Sequence, residues 1–167
     1  MIYIRPDTVA PIDQGDLFAQ CPIATIERFD PQDPGGPLVN ASLAIVVVLT
    51  QTCDLAQART SRATVAIAHS AEELINQGRL KSADVRGPIR SARVYGWYFL
   101  PSSSEFGIPE LIVDFRNLHT VSISVLDSLR SIGFRKGRVL SPYREHLAKH
   151  FADTYSRIGL PEPYQTE

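Results

Sequence analysis

Cysteine is scarce in this chain. Cys21 and Cys53 are the only two among 167 residues, too few for a disulfide framework and at no zinc-ligand spacing. Long apolar runs are missing too. The longest aliphatic stretch, Leu43–Leu49, falls far short of the roughly 18–20 residues that cross a bilayer. Met1–Ile4 meets Arg5-Pro6 before any apolar stretch can build, so no leader peptide is expected. Those features lead us to expect a cytoplasmic protein that does not engage a membrane. A net charge of −1 gives no global field that would force a nucleic-acid or membrane partner. The glycines in Asp30-Pro31-Gln32-Asp33-Pro34-Gly35-Gly36-Pro37 are followed by no Lys-Ser/Thr, so they are no phosphate loop. Neither a cofactor nor a metal is expected. His146 and His150 are four apart, but no glutamate follows His146, and a solvated helix flank is the plainer assignment.

What is present is ordinary for a globular protein, with 44% hydrophobic and 21% charged residues. The length suggests one domain spanning residues 1–167. A chain of this size buries about 70% of its unfolded surface, enough for a core without staples. Leu43–Leu49 is β-branched, short and continuous, the signature of a strand buried on both faces. Gly15–Gln20 and Pro22–Arg28 read as two short strands, followed by the proline-rich loop. Arg62–His69 would pair with the central strand, and Ala71–Gln77 gives a helical turn or two stopped by Gly78. Arg79–Ser91 is basic, contains Gly87-Pro88, and reads as a mobile surface loop. Arg93–Leu100, Leu111–Phe115 and His119–Val125 are further strands, with Gly133–Val139 as a basic turn or hairpin tip. Ser141-Pro142 then opens a helix, hydroxyl at the N-cap and proline at N1. Its stripe is Tyr143, Leu147, Phe151, Tyr155 and Ile158, with Gly159 and Pro161 as stop signals. The expectation is a mainly β protein: a small, SH3-like, mostly antiparallel barrel with long loops and one C-terminal amphipathic helix.

Charge is divided unevenly. Residues 1–40 carry a net −4 and residues 79–149 a net +6, so a near-neutral chain can still present a basic face. The polar run Thr50-Gln51-Thr52-Cys53-Asp54 follows the most apolar strand without a break. A rigid strand end is a good place to hold a site. Cys53 beside Asp54 is a poor thiolate alone, because a neighbouring anion raises a thiol's pKa. Nucleophilic use therefore needs a histidine. A pairing of Leu49 with Ala68 would bring His69 to Val48 and Thr50. The structural alternative makes Cys53 a small hydrophobe and Asp54 a turn cap.

Asp13-Gln14-Gly15-Asp16-Leu17-Phe18, a loop, and Ala44-Ile45-Val46-Val47-Val48-Leu49-Thr50 resemble the opening of the PemK/MazF-like toxins. Lys136-Gly137-Arg138-Val139 and the Ser-Pro helix start are similar to their closing strand and helix. The resemblance covers both ends of the chain and leaves Glu73–Gly107 without a counterpart. It implies a small SH3-like barrel, usually dimeric, that cleaves single-stranded RNA without metal, using an arginine at the scissile phosphate and a nearby Ser/Thr. Ser42-Leu43 stands where the arginine-proline would be, so the developing charge lacks its chief stabiliser.

Two main readings follow. In one, the protein is a toxin-type endoribonuclease or RNA-binding protein, with Arg135, Lys136 and Arg138 on phosphate and Thr50, Gln51 and Asp54 at the reacting centre. In the other, it is a non-catalytic barrel that binds a protein partner in a bacterial stress or phage-defence assembly. The missing arginine tips the balance to the second. A cysteine hydrolase using Cys53 and His69 is a third.

Overall fold

Among the described residues, seven antiparallel strands build one sheet in the order β1-β7-β2-β3-β4-β6-β5. In chain order these are β1 (Tyr3–Ile4), β2 (Asp16–Arg28), β3 (Leu38–Val48), β4 (Arg62–Ser70), β5 (Trp97–Leu100), β6 (Leu111–Ser122) and β7 (Arg135–Val139). The computed structural model describes residues 1–156 apart from positions 34 and 58. The mainly β expectation holds, with the helices α1 (Thr52–Ala56), α2 (Ala71–Asn76), α3 (Ser82–Asp84), α4 (Ile123–Ser131) and α5 (Tyr143–Tyr155) around the sheet. The sheet ends at β1 and β5 and is not closed into a barrel. No helix among the described residues is long and apolar enough to cross a membrane.

β3 lies at the middle of the strand order, as its apolar run requires. Its alternate side chains enter different cores, Val47 with Leu49 on one side and Val46 with Val48 on the other. Two-sided burial is confined to this end: Leu43 is exposed. β2 is one strand instead of two. Gln20 takes φ +55°, and the pairing with β3 slips between Phe18 and Cys21. A bulge here bends the strand without ending it. β6 is likewise continuous, and three residues, Phe115–Asn117, separate the partners of Ile67 and Ala66.

Several local assignments change. Ile123–Ser131 is a second amphipathic helix, its Leu126 and Leu129 buried against β2 and β4 side chains. Serines at positions 124, 128 and 131 dilute its period, which hid it next to a β-branched strand. The basic segment at Arg135–Val139 is a paired strand between β1 and β2, not a hairpin tip. Residues 82–89 are not a free loop: α3 runs into a π-helical turn at Val85–Ile89, whose Val85 and Ile89 join Leu74 and Trp97 in a third core. α5 begins at Tyr143 with Pro142 at the cap position, and Ser141 makes no cap. Ile158, Gly159 and Pro161 lie outside the described residues.

Among the described residues, only the middle of the α5 stripe is deep. Leu147 is fully buried in the first core with Phe151 packed beside it, whereas Tyr143 and Tyr155 are half exposed. Leu147→Ala should lower unfolding free energy by about 2–5 kcal/mol through the cavity it leaves. Urea denaturation of that variant beside Tyr143→Ala, expected to cost under about 1 kcal/mol, checks the assignment.

Candidate functional site

The residues singled out by the sequence do not assemble into one centre. Thr50 ends the β3–β4 ladder, its Oγ1 accepting the Thr64 backbone N–H at 2.7 Å. Gln51 then takes the cap position of α1 without a side-chain cap bond. Cys53 is exposed, and its Sγ lies 3.6 Å from Gln51 Oε1 and 3.9 Å from Asp54 Oδ1. Both neighbours are oxygen atoms placed to accept the S–H as a weak hydrogen bond. Asp54 does not cap the turn; it faces Arg59 at 3.9 Å, an exposed pair worth little.

His69 sits at the far end of β4. The true register pairs Val48 with Val65 and Val46 with Ile67, four residues away from the pairing the sequence suggested. β4 therefore runs from the Thr50 end toward Ala44 before it reaches His69, about 13 Å along the strand from Val65. The cysteine–histidine pair is not formed, and the hydrolase arrangement fails on register. His69 packs opposite Ile112 instead, with a buried Nε2 that has no hydrogen-bond partner among the described residues.

The basic segment is also spent internally. Arg138 grips the fully buried Asp16 with Nε at 2.6 Å from Oδ1 and Nη2 at 3.0 Å from Oδ2. Arg135 Nη1 approaches the same carboxylate at 3.4 Å and also meets the Ala10 and Pro11 carbonyls, while Nη2 donates to the Asp7 carbonyl. Burial pulls the Arg135 guanidinium below its usual range, opposed by Asp16. Asp13 N–H donates to Asp16 at 3.0 Å, and the Asp13 carboxylate in turn meets Arg138 and Arg144 at 3.4 and 3.6 Å. Gly15, at φ +84°, allows the close approach: a Cβ there would stand 3.3 Å from Val139. Arginines held this way face inward and are not free to reach phosphate. Of the three cations assigned to RNA, only Lys136 has no ion pair or hydrogen bond described, lying 6.0 Å over the Phe134 ring.

The surface that stands out is one the sequence did not single out. Ala24–Arg28 and Leu38–Leu43 form a two-stranded arm exposed along its whole length. β2 leaves β7 at Phe18, and β3 meets β4 only at Val46–Val48, so both edges of the arm are unpaired among the described residues. The register puts Pro22, Ala24 and Ile26 on the same face as Leu43, Ala41 and Val39. That face carries no polar side chain, and Ile26, Val39 and Leu43 are 66%, 53% and 64% exposed. Thr25, Asn40 and Ser42 occupy the other face. The pattern was legible as alternation in Ala24–Ile26 and Val39–Leu43, but the intervening loop concealed that the two runs pair.

A cleft of about 600 Å³ opens at the base of the arm, lined by Ile23, Arg62, His119, Thr120 and Val125 among others. Arg62 donates to the Thr120 hydroxyl and carbonyl at 3.3 and 3.0 Å, and His119 Nε2 pairs with Asn117 Oδ1 at 2.9 Å. No hydroxyl in the cleft is bonded to a base, so the groups suit recognition better than proton transfer.

No family model matches the chain, and no curated protein is significantly similar to it.

Two outcomes test the internal roles. Asp16→Ala should cost about 3–5 kcal/mol, because it strands two buried cations, as seen by chemical denaturation. Desolvation, followed by the nearby Arg79, holds the His69 pKa below its ordinary 6.5. A depressed histidine stabilises the fold above the unfolded-state value and is lost as pH falls. Stability should therefore drop as pH is lowered from 7 toward 5, and His69→Gln should flatten that slope in pH-dependent melts.

Proposed function

We propose that the protein is a non-catalytic subunit that binds a protein partner through the β2–β3 arm, on an SH3-like scaffold of the PemK/MazF type. The observation that carries this reading is the uncovered apolar face of the arm. A two-stranded ribbon exposed on both faces is at best marginal in water, and six apolar side chains on one such face gain nothing until something covers them. The free edge of β3 adds to the case. Leu38–Ile45 has no charge and no proline to block a further strand, so a partner can be held by backbone pairing as well as by apolar contact. The tip bears Asp30 and Asp33, which favours a partner segment with basic flanks. Internal commitment of Arg135 and Arg138 weakens the ribonuclease alternative, and a role in a bacterial stress or phage-defence assembly fits a small subunit of this kind.

A photo-crosslinking residue placed at position 39, on the apolar face, should yield a discrete adduct in cells. The same residue at position 40, on the opposite face, should yield little. Adduct mass then separates a second copy of the chain from a different protein. Equal or absent adducts at both positions would remove the arm from consideration. Metal-independent cleavage of labelled single-stranded RNA by the purified protein would overturn the non-catalytic assignment.

A further inference from the structure

A smaller cavity of about 290 Å³ opens where the end of the π-helical turn, β5 and the first turn of α5 meet. It is separate from the arm. Its walls include Ile89, Phe99 and Tyr143, and no carboxylate is among its lining residues. Two polar groups converge there. Tyr98 is buried, and its hydroxyl lies 3.1 Å from Nδ1 of His146 and 3.5 Å from the Tyr143 carbonyl. Burial, reinforced by Tyr143, pushes the phenol pKa up to about 12, so it keeps its proton. With a neutral imidazole the hydroxyl donates to Nδ1, which places the ring proton on Nε2. With an imidazolium the phenol oxygen accepts from Nδ1–H and turns its own proton to the Tyr143 carbonyl. In these two forms, the Nε2–H tautomer and the imidazolium, His146 has an Nε2–H to offer a ligand.

The second group is Arg90, whose guanidinium carbon stands 5.3 Å from the centre of the Phe99 ring. Among the described residues Arg90 has that ring as its side-chain partner and no carboxylate. A guanidinium seated over a ring, with no carboxylate on it, keeps its forked edge free for a two-point contact. The backbone beside it is held firmly. Ala92 sits at φ +55°, and the Ala92 and Arg93 amides bond the Ile89 and Pro88 carbonyls at 2.9 Å. A non-glycine residue in that region persists where its surroundings over-determine it.

We propose that this cavity binds a small, single-ring aromatic carboxylate. The carboxylate would take the Arg90 fork and the His146 N–H, while its ring lies against Phe99 and Tyr143. A phosphate dianion is a poorer match, since Arg90 is the only permanent cation among the lining residues.

The test uses 4-hydroxybenzoate as the probe and neutral 4-hydroxybenzamide as its control, followed by amide NMR on the full chain. The benzoate should give saturable shifts confined to residues near 2, 89–101 and 143–146, with an affinity on the order of 1 mM. The benzamide should bind about tenfold or more weakly, and Arg90→Gln should weaken the benzoate by about the same factor. Tyr98→Phe should weaken it less, by freeing the His146 ring. Lys149→Gln, which removes an exposed cation elsewhere on α5, should change nothing. Shifts that fail to saturate by about 10 mM, equal binding of the neutral analogue, or equal losses from Arg90→Gln and Lys149→Gln would each overturn the site. Arg90 is exposed, so its replacement leaves the fold intact and the readout interpretable.

Discussion

Asp16 is the point on which the architecture turns. A carboxylate with no solvent exposure is tolerated only when charge and hydrogen bonds replace its water, and here two arginines and a backbone amide do so. The same arginines donate to the carbonyls of Asp7, Ala10 and Pro11, in a segment with no sheet partner of its own. One buried anion thus ties the N-terminal segment, β2 and β7 together, and through Asp13 reaches Arg144 at the start of α5. A buried pair adds little net stability over an apolar substitute, but it disfavours any packing that leaves one partner alone. The network therefore specifies which strand lies beside β2 more than it adds free energy.

This clarifies the charge pattern. The acidic first quarter and the basic second half suggested a face offered to an outside partner, and several of those charges are instead offered to each other. Composition by halves cannot distinguish internal neutralisation from an external one, because both leave the same sums. Position gave the only cue. Arg135 and Arg138 lie on a short strand in which Gly137 and Val139 are buried, and a strand within the sheet has little freedom to reach for phosphate.

The strands were readable wherever apolar and β-branched residues dominate, as in Val46–Leu49 and Arg62–Ser70. They were misjudged where a bulge or helix interrupts the pattern. Gln20 and Phe115–Asn117 were seen as strand ends because each disturbs the two-residue period, and backbone pairing carries the chain past both. The four-residue error in the β3–β4 register mattered most for chemistry. A register is decided by turn geometry and by which side chains fill two cores at once, and neither is visible in a linear string. Thr50–Asp54 was rightly located at a strand end, yet with His69 carried off along β4 its members serve local backbone structure.

The bare β3 edge also governs how the chain fares while it is alone. An unpaired, uncharged strand edge beside apolar side chains is the feature by which chaperones and proteases recognise incompletely folded proteins, and this chain displays it with its cores fully formed. Copies made in excess of whatever covers the arm would be treated as orphans, held or degraded despite being native. On the proposed reading, cellular abundance would then follow supply of the covering surface rather than the thermodynamic stability of the sheet, so the arm would set the dose of the protein as well as its attachment.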